Sequence, residues 1–295
     1  MPEARIGVIG GSGLYQIEGL SDIEEFYPDT PWGKPSDALT IGTLEGQRVA
    51  FLPRHGRGHR INPTDLPVHA NIYAMKMLGV RWLLSISAVG SMREEIPPLD
   101  LVVPDQIFDR TVYRSRSFFG IDAETPGIVA HITFADPFSK PLREMLYEAA
   151  QQSGATVHNG GTYLCMEGPQ FSTRAESNIY RQWGVHIIGM TALPEARLAR
   201  EAEMHYATLA CATDYDCWHE AHESVTIDMI VSNLNQNAAR AKATVKTIVP
   251  LIAKFDQTDY QDECDNALAT ALLTDRSRIP ATTIEKLGLI VKRYF

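Results

Sequence analysis

The chain has 295 residues, of which 44% are apolar and 21% charged, a composition that is typical of globular proteins and excludes intrinsic disorder. Its 27 basic and 36 acidic side chains leave a net charge of −9, which argues against nucleic acid or an anionic membrane as a partner. Four cysteines without metal-ligand spacing predict reduced thiols in a cytoplasmic protein, and no apolar run is long enough for a transmembrane helix.

Short apolar runs alternate with helical periodicity along the chain. The runs predict strands at 6–9, 49–52, 80–88, 101–103, 107–108, 162–166, 185–190 and 206–213. Apolar residues at helical spacing predict helices at 67–78, 136–153, 173–183, 194–204, 225–254 and 261–273. In the second of these helices, Asp136 is the expected N-cap and Pro137 the expected first-turn residue.

The alternation of strands and helices predicts an α/β fold with a central mixed β-sheet flanked by helices. No linker rich in proline, glycine or serine divides the chain. We therefore expect a single domain over residues 1–295, ending in a helical segment at about 255–295. The irregular stretch at 91–135 would decorate the sheet or form a subunit contact.

A glycine-rich turn, GGSG at 10–13, follows the first predicted strand. Its glycines would turn backbone N–H groups toward an anion, and Ser12 would add a hydroxyl donor. A dinucleotide-binding fingerprint needs a further glycine at position 16, which is glutamine, so a protein that binds NAD is only an alternative from another class. Taken alone, the motif is equally compatible with a plain tight turn.

Two later strand ends also carry groups that suit an anion. PRHGRGH, at 53–59, places Arg54 beside His55 at a position where α/β sheets bind ligands, and a solvated basic loop is the alternative. SISAVGS, at 85–91, offers the Ser87 hydroxyl and neighbouring backbone amides. Read alone, that segment is a simple transition from strand to loop.

The motif EGPQFSTRAE, at 167–176, combines a structure-breaking Gly-Pro with an aromatic residue. Ser172 and Thr173 can cap the helix that follows. Phe171 would serve either as a stacking platform for a flat ring or as an ordinary core or lid residue.

The motif ATDYDCW, at 212–218, ends an apolar strand with two carboxylates. Residues two apart in a strand point the same way, so Asp214 and Asp216 are expected to face one site. The pair would bind a metal ion, read the donor and acceptor edge of a base, or belong to a solvated turn.

These motifs, in this order, resemble those of the trimeric purine nucleoside phosphorylase family. The resemblance extends from residue 6 to about residue 250 and includes GGSG, RHG, AVGS, EGPQFSTRAES and ATDYDCW. It implies phosphorolysis, in which inorganic phosphate attacks C1′ of a nucleoside and the products are a free base and a sugar 1-phosphate. It also implies a cytoplasmic homotrimer or dimer of trimers, with phosphate as co-substrate and with neither cofactor nor metal.

The resemblance assigns roles to individual residues. Phosphate would be held by Ser12, Arg54, His55, Ser87, Ala88 and Thr191. Asp214 would donate a proton or a strong hydrogen bond to N7 of the leaving purine, and Asp216 would accept from its 6-amino group. Further substrate contacts would come from Met190, Phe171, Ser172, Tyr215, Ile227, Ile230, Val231 and His131, the last reaching the pocket from a neighbouring subunit.

The same resemblance suggests a substrate. An aspartate pair favours adenine over guanine or hypoxanthine, and apolar side chains at the start of the long helix favour a 5′-methylthio group. The expected reaction is phosphorolysis of S-methyl-5′-thioadenosine to adenine and 5-methylthioribose 1-phosphate, in methionine and purine salvage. Adenosine, methylthioinosine or another purine nucleoside is the alternative, because Gly189 stands where relatives often carry asparagine. A metal-dependent glycosyl or phosphate-transfer enzyme using the two aspartates is the alternative from another class.

Overall fold

Many strands of this α/β fold are short, buried apolar segments, because helices cover both faces of the sheet. The computed structural model describes residues 2–11, 14, 16–219 and 227–295, without the side chains of 227–231 and 234. The strands in this part of the chain are β1 (Ile6–Gly10), β2 (Ser21–Phe26), β3 (Leu39–Leu44), β4 (Gln47–Pro53), β5 (Trp82–Ser91), β6 (Leu101–Val103), β7 (Gln106–Arg110), β8 (Val157–Asn159), β9 (Thr162–Met166), β10 (Ile187–Gly189) and β11 (His205–Tyr215).

The sheet is mixed, as the sequence predicts. Its strands follow the order β2-β3-β4-β1-β5-β10-β9-β7, while β11 pairs with β5 and β6, and β8 pairs with β6. Strand β1 is parallel to β4 and β5, and β5 is parallel to β11, whereas β10 runs antiparallel to β5. The carboxyl ends of β1, β4, β5 and β11 therefore meet at one edge, which is where α/β sheets bind ligands.

Helices pack on both sides of this sheet. They are α1 (Val68–Met77), α2 (Lys140–Gln151), α3 (Arg174–Gln182), α4 (Ala192–Glu201), α5 (Ile227–Asp256) and α6 (Ala281–Leu287). Helices α1 and α4 contribute to one apolar core together with the C-terminal segment, and α2 and α5 contribute to the other. Within the described residues, no helix has both the length and the apolar character needed to cross a bilayer.

Three strands were not predicted from the sequence. Strand β2 (SDIEEF) is largely exposed at the edge of the sheet, so it lacks an apolar run. Strand β3 is buried, but a glycine and two threonines interrupt its apolar residues. Strand β8 has only three residues. Periodicity is a weak signal in all three cases because few consecutive apolar side chains are available.

The predicted start of α2 at Asp136 is wrong. The helix begins at Lys140, with Ser139 as N-cap and Pro141 in the first turn. Asp136 lies before the helix, where its carbonyl oxygen accepts a hydrogen bond from Arg200 Nη2 at 2.7 Å. The helix thus starts at the Ser-x-Pro pattern of residues 139–141 and not at the Asp-Pro pattern of residues 136–137. The reason is that tertiary contacts hold the residues before Ser139 in a loop.

The helix predicted at 261–273 is also wrong, since residues 263–271 form consecutive turns. Asp262 Oδ1 accepts from the backbone N–H of Cys264 at 2.7 Å, and Asp265 Oδ2 accepts from that of Asp262 at 3.1 Å. Asp265 is also anchored by Arg81, whose Nε lies 2.8 Å from Oδ1. Such side chain–backbone bonds compete with helix formation. The predicted C-terminal segment at 255–295 therefore begins with the last residues of α5 and contains α6 and short 3₁₀ turns at 276–278 and 288–290.

Candidate active site

A cavity of about 610 Å³ lies at the edge where the parallel strands end. Its volume is in the range of small-molecule sites. It brings together the residues expected to bind phosphate and those expected to bind a base, which lie far apart in the sequence. The predicted residues that line it are Arg54, His55, Ser87, Ala88, Phe171, Met190, Thr191, Asp214 and Asp216.

Three predicted substrate contacts do not line this cavity. The Ser172 hydroxyl donates to Met166 Sδ at 3.7 Å, and Met166 itself lines the cavity. Tyr215 donates its hydroxyl hydrogen to the carbonyl oxygen of Glu94 at 3.1 Å, on the side away from the two aspartates. His131 is exposed, and its predicted contact requires a second subunit.

Four predicted contacts lie outside what the structure describes. Ser12 is not among the described residues, although its neighbour Gly11 lines the cavity. The backbone of Ile227, Ile230 and Val231 forms the start of α5, but their side chains are not described. The roles of these four residues remain predictions.

Arg54 is 3% exposed and directs most of its donors at protein groups. Its Nε and Nη2 form a bidentate ion pair with Glu195 at 2.9 and 3.0 Å. Nη2 also donates to Ser85 Oγ at 2.7 Å, and Nη1 donates to the carbonyl oxygen of Ile86 at 2.9 Å. A guanidinium has five N–H donors, so one Nη1 hydrogen has no partner among the described residues. Arg54 thus offers a ligand its charge and one donor, while Glu195 occupies the fork.

His55 is held in one tautomer by the loop that follows β4. Its Nδ1 lies 2.8 Å from the carbonyl oxygen of Ile61, and because a carbonyl only accepts, Nδ1 carries the hydrogen. Burial, reinforced by the charge of Arg54, lowers the pKa of His55 to about 4. The ring is therefore neutral near pH 7, and Nε2 can accept a hydrogen bond from the hydroxyl of a monoprotonated phosphate. His59 stacks on this ring with centroids 4.3 Å apart.

Two buried hydroxyls from different elements meet in the cavity wall. Ser87 lies in the middle of β5, and Thr191 follows β10. Their oxygens are 3.0 Å apart, and Ser87 Oγ is also 3.2 Å from the hydroxyl oxygen of Tyr163. Both Ser87 and Thr191 can donate to an anion, as the resemblance implies. No motif in the sequence pointed to Tyr163.

Asp214 lies at the end of β11, where the pairing with β5 shifts register after Ala212. The Thr213 hydroxyl donates to Asp214 Oδ1 at 2.6 Å. Burial raises the pKa of Asp214 to about 6; the nearby charge of Asp216 acts in the same direction, and the Thr213 hydrogen bond opposes it. A carboxyl group with this pKa can hold a proton near neutral pH and donate it.

Asp216 presents an unused acceptor. The residue is 7% exposed, and its Oδ2 has no hydrogen-bond partner in the described part of the chain. Burial raises the pKa of this carboxyl group as well. Since buried polar atoms are normally hydrogen-bonded, Oδ2 is suited to accept from a ligand N–H in the cavity it lines.

Met190 is held in place by a hydrogen bond to its backbone and by the space that a glycine leaves for its side chain. The side chain of Arg114 is 4% exposed and donates to the carbonyl oxygens of Met190 and Leu193 at 2.6 and 2.7 Å. Arg114 Nε also donates to Glu167 Oε1 at 2.9 Å. A Cβ at Gly168 would lie 2.6 Å from Met190 Sδ, so this glycine makes room for the methionine. Sequence reasoning missed Arg114, which lies in the irregular stretch at 91–135.

Helix α5 also contributes to the cavity wall, through Asn235, Asn237, Ala238 and Ala241. Asn237 Nδ2 donates to the carbonyl oxygen of Ala212 at 2.9 Å, beside the register shift of β11. The sequence signal here was a long helical stripe of apolar residues, which predicts the helix but not these asparagines.

Among the described residues, the side chains that could hold a metal ion are His205, Asp262 and Cys264, whose ligand atoms lie within 4.8 Å of one another. They are separate from the cavity and do not include the aspartate pair. Both nitrogens of His205 are hydrogen-bonded, Nδ1 to Ser139 Oγ at 2.8 Å and Nε2 to Asp265 Oδ2 at 3.1 Å. This group is therefore explained as part of the anchor for the C-terminal segment.

The chain is similar to known proteins over most of its length. Residues 5–250 match the model of the phosphorylase superfamily. An S-methyl-5′-thioadenosine phosphorylase of Geobacter sulfurreducens is 55% identical over 99% of both chains, and one of Chloroflexus aurantiacus is 52% identical over 100% of both.

Solved structures show the same similarity. A methylthioadenosine phosphorylase sourced from an Antarctic soil metagenomic library has a TM-score of 0.92 and 45% identity, with 98% of this chain and 99% of that chain covered. The methylthioadenosine phosphorylase of Schistosoma mansoni in complex with adenine has a TM-score of 0.81 and 32% identity, with 91% and 99% covered. This chain therefore belongs to the phosphorylase superfamily and, within it, to the family of S-methyl-5′-thioadenosine phosphorylases.

Proposed function

We propose that this chain catalyses the phosphorolysis of S-methyl-5′-thioadenosine to adenine and 5-methylthioribose 1-phosphate, as a cytoplasmic step of methionine and purine salvage. The observation that carries the proposal is that one cavity contains both a set of anion-binding groups and a carboxyl group, Asp214, that can hold a proton near neutrality. Relatives at 55% and 52% identity carry the name of this activity. Inorganic phosphate is the co-substrate, and the reaction as proposed uses no cofactor.

The proposed phosphate ligands are Ser12, Arg54, His55, Ser87, Ala88 and Thr191. Arg54 supplies a positive charge that Glu195 partly offsets, together with one donor that has no partner among the described residues. Neutral His55 accepts the remaining phosphate hydrogen at Nε2, and the two hydroxyls donate to other phosphate oxygens. The site thus selects a small, partly protonated anion and orients one of its oxygens for attack at C1′.

At the base, Asp214 would face N7 and Asp216 would face the 6-amino group. Asp216 Oδ2, which has no partner among the described residues, can accept an N–H, whereas a 6-oxo group would place an acceptor against an acceptor. Adenine is therefore favoured over hypoxanthine and guanine. Phe171, at the cavity edge, would cover the purine, and Met190 would contact the ribose.

The proposed reaction forms no bond to the enzyme. The C1′–N9 bond breaks and its electron pair moves into the purine, while Asp214 transfers its proton to N7. A phosphate oxygen then forms the new bond to C1′ of the ribosyl group, which has oxocarbenium character. The protein contributes positioning of the two reactants and stabilisation of the charges that develop.

The 5′ substituent would lie beside α5, with Ile227, Ile230 and Val231 as the proposed contacts. The described part of α5 already reaches the cavity, which supports this placement. Burial of a methylthio group in such a pocket favours binding by about 1–2 kcal/mol. A second candidate substrate is adenosine, because a solved relative at 33% identity is an adenosine/methylthioadenosine phosphorylase.

We also propose that the functional unit is a homotrimer or a dimer of trimers, in which His131 completes a neighbour's site. Among the exposed apolar side chains, two sets are candidates for a subunit contact. One set comprises Phe108, Val112, Tyr113, Ile179 and Trp183, and the other comprises Ile121, Val129 and Leu273. Two different patches suit a head-to-tail contact, which closes into a ring in a cyclic trimer.

The decisive experiment is a substrate panel with and without phosphate: methylthioadenosine, adenosine, methylthioinosine and inosine, with release of the free base as readout. We expect rapid release from methylthioadenosine that requires phosphate and survives EDTA. Release without phosphate would indicate a hydrolytic nucleosidase, and loss of activity in EDTA would indicate the metal-dependent alternative. A preference for the 6-oxo nucleosides would overturn the role of Asp216.

A further inference from the structure

Gly189 is required by the space that Tyr163 fills. A Cβ at position 189 would lie 2.0 Å from the Tyr163 hydroxyl oxygen and 2.7 Å from its Cζ. Strands β9 and β10 are paired in parallel, with Tyr163 opposite Ile187, so the tyrosine reaches across toward the end of β10. Real Cβ contacts are essentially never this short. The glycine and the tyrosine therefore depend on each other.

The Tyr163 side chain is completely buried and does not itself line the cavity. Its hydroxyl oxygen lies 3.2 Å from Ser87 Oγ, one of the proposed phosphate ligands. Burial raises the pKa of Tyr163 to about 12, so the phenol carries its hydrogen at physiological pH. A neutral phenol that touches Ser87 from behind the cavity wall can act on Ser87 but cannot reach a ligand through the wall.

The hydrogens available to these hydroxyls limit how they can be arranged. Each hydroxyl donates one hydrogen and has two lone pairs. When Ser87 and Thr191 both donate to phosphate, neither has a hydrogen left for the other, although their oxygens are 3.0 Å apart. The Tyr163 hydrogen can then fill a lone pair of Ser87. Without it, the Ser87 hydrogen can turn to the carbonyl oxygen of Ala88, 3.3 Å away.

We propose that Tyr163 is a positioning residue for phosphate: it donates its hydroxyl hydrogen to Ser87 and so keeps the Ser87 O–H directed at the anion. The proposal rests on the proposed function, because it needs phosphate beside Ser87. Gly189 belongs to the same arrangement, since a larger residue would displace the tyrosine ring. Asparagine at position 189 is therefore incompatible with Tyr163 in its present place.

The test is Tyr163→Phe, which keeps the ring against Gly189 and removes only the hydroxyl. We expect the KM for phosphate, measured at saturating methylthioadenosine, to rise about fivefold, the loss expected for one neutral hydrogen bond. The KM for methylthioadenosine should stay unchanged. The matched control is Tyr73→Phe, which removes a buried hydroxyl that accepts from the backbone N–H of Leu289 at 3.2 Å, away from the cavity. This control should leave the phosphate KM unchanged.

A double-mutant cycle with Ser87→Ala shows whether Tyr163 acts through Ser87. In the Ser87→Ala background, Tyr163→Phe should add no further rise in the phosphate KM. An unchanged phosphate KM in Tyr163→Phe, or an equal rise with and without Ser87, would overturn the proposal. A lower melting temperature with an unchanged phosphate KM would assign the hydroxyl a packing role only. If the wild-type enzyme cleaves no nucleoside with phosphate, the proposed function itself fails, and that result is distinct from these.

Discussion

Burial shifts the pKa values of two titratable side chains in the cavity in opposite directions. It lowers the pKa of His55 to about 4 and raises the pKa of Asp214 to about 6, because in both cases it disfavours the charged form. The outcome near neutral pH is an uncharged imidazole in the same cavity as a carboxyl group that can hold a proton. These two states suit the binding of a partly protonated phosphate and the protonation of a leaving base.

The first prediction, at the residue scale, concerns the pH dependence of Asp214. If its protonated form donates to N7, kcat/KM for methylthioadenosine at saturating phosphate should be highest below its pKa of about 6 and should fall as pH rises through that value. Asp214→Asn should lower turnover by about 10²–10⁴-fold and abolish this descending limb. A limb that persists unchanged in Asp214→Asn would assign the titration to another group.

At the scale of elements, one buried side chain connects three segments around the cavity. Arg114 follows β7 and bonds to Glu167 after β9 and to the carbonyl oxygens of Met190 and Leu193, near the start of α4. Glu167 in turn accepts from the backbone N–H of Tyr113 at 3.0 Å. The ion pair thus holds the loop after β7 against the segments that carry Met190 and Phe171.

The second prediction concerns this connection. Arg114→Met keeps much of the side-chain length but removes the ion-pair partner of Glu167. It also removes the donor to four carbonyl oxygens, those of Met166, Glu167, Met190 and Leu193. We expect the free energy of unfolding to fall by about 3 kcal/mol, as for other broken buried ion pairs, and kcat/KM for the nucleoside to fall with it. Urea denaturation and steady-state kinetics measure the two effects.

The matched control for that prediction is Arg116→Met on the same loop. The side chain of Arg116 is 52% exposed, and its Nε lies 3.9 Å from Asp109 Oδ2. Because exposed ion pairs contribute little, this substitution should change stability and kcat/KM much less. Equal losses in the two variants would mean that the loop tolerates neither change and that the buried pair has no special role.

At the scale of the whole molecule, two sets of apolar side chains are exposed in the single chain, one including Tyr113 and Trp183 and the other including Leu273. Tyr113 is 84% exposed and Trp183 55%, while Leu273 is 66% exposed on the segment that pairs with the residues before His131. Contact between the patches of neighbouring chains would cover both and bring His131 toward a neighbour's cavity.

The third prediction follows from this contact. Light scattering should give a mass of three or six times 32.8 kDa for the wild-type protein. Trp183→Glu should shift the mass toward the monomer and lower activity, because a charge would be buried in the contact. Ile23→Glu, on the exposed edge strand β2, is the control and should change neither. A monomeric and fully active wild-type protein would contradict the trimer.

Strand ends were predictable because buried strands are apolar runs and polar residues begin where the runs stop. Arg54, Ser87 and Asp214 each follow or end such a run, and the three residues line the same cavity. The N-cap at Thr173 was also predictable, because threonine followed three residues later by glutamate is the pattern of a capping box. In the structure the Thr173 hydroxyl accepts from the N–H of Glu176, and the Glu176 side chain accepts from the N–H of Thr173. Asp136 shows the limit, because contacts distant in sequence moved the start of α2 to Lys140.

By itself, the sequence determined the fold class, the order of the motifs and the edge of the sheet where they converge, because local periodicity and parallel strand ends carry that information. Only the tertiary structure decided that Glu195 occupies the fork of Arg54 and that Tyr163 touches Ser87. It also decided that Asp216 keeps an acceptor without a partner in the described part of the chain. These partners lie far apart in the sequence, and no local pattern specifies which buried polar groups meet. Their distances and burial set the pKa values and the donors that a ligand encounters.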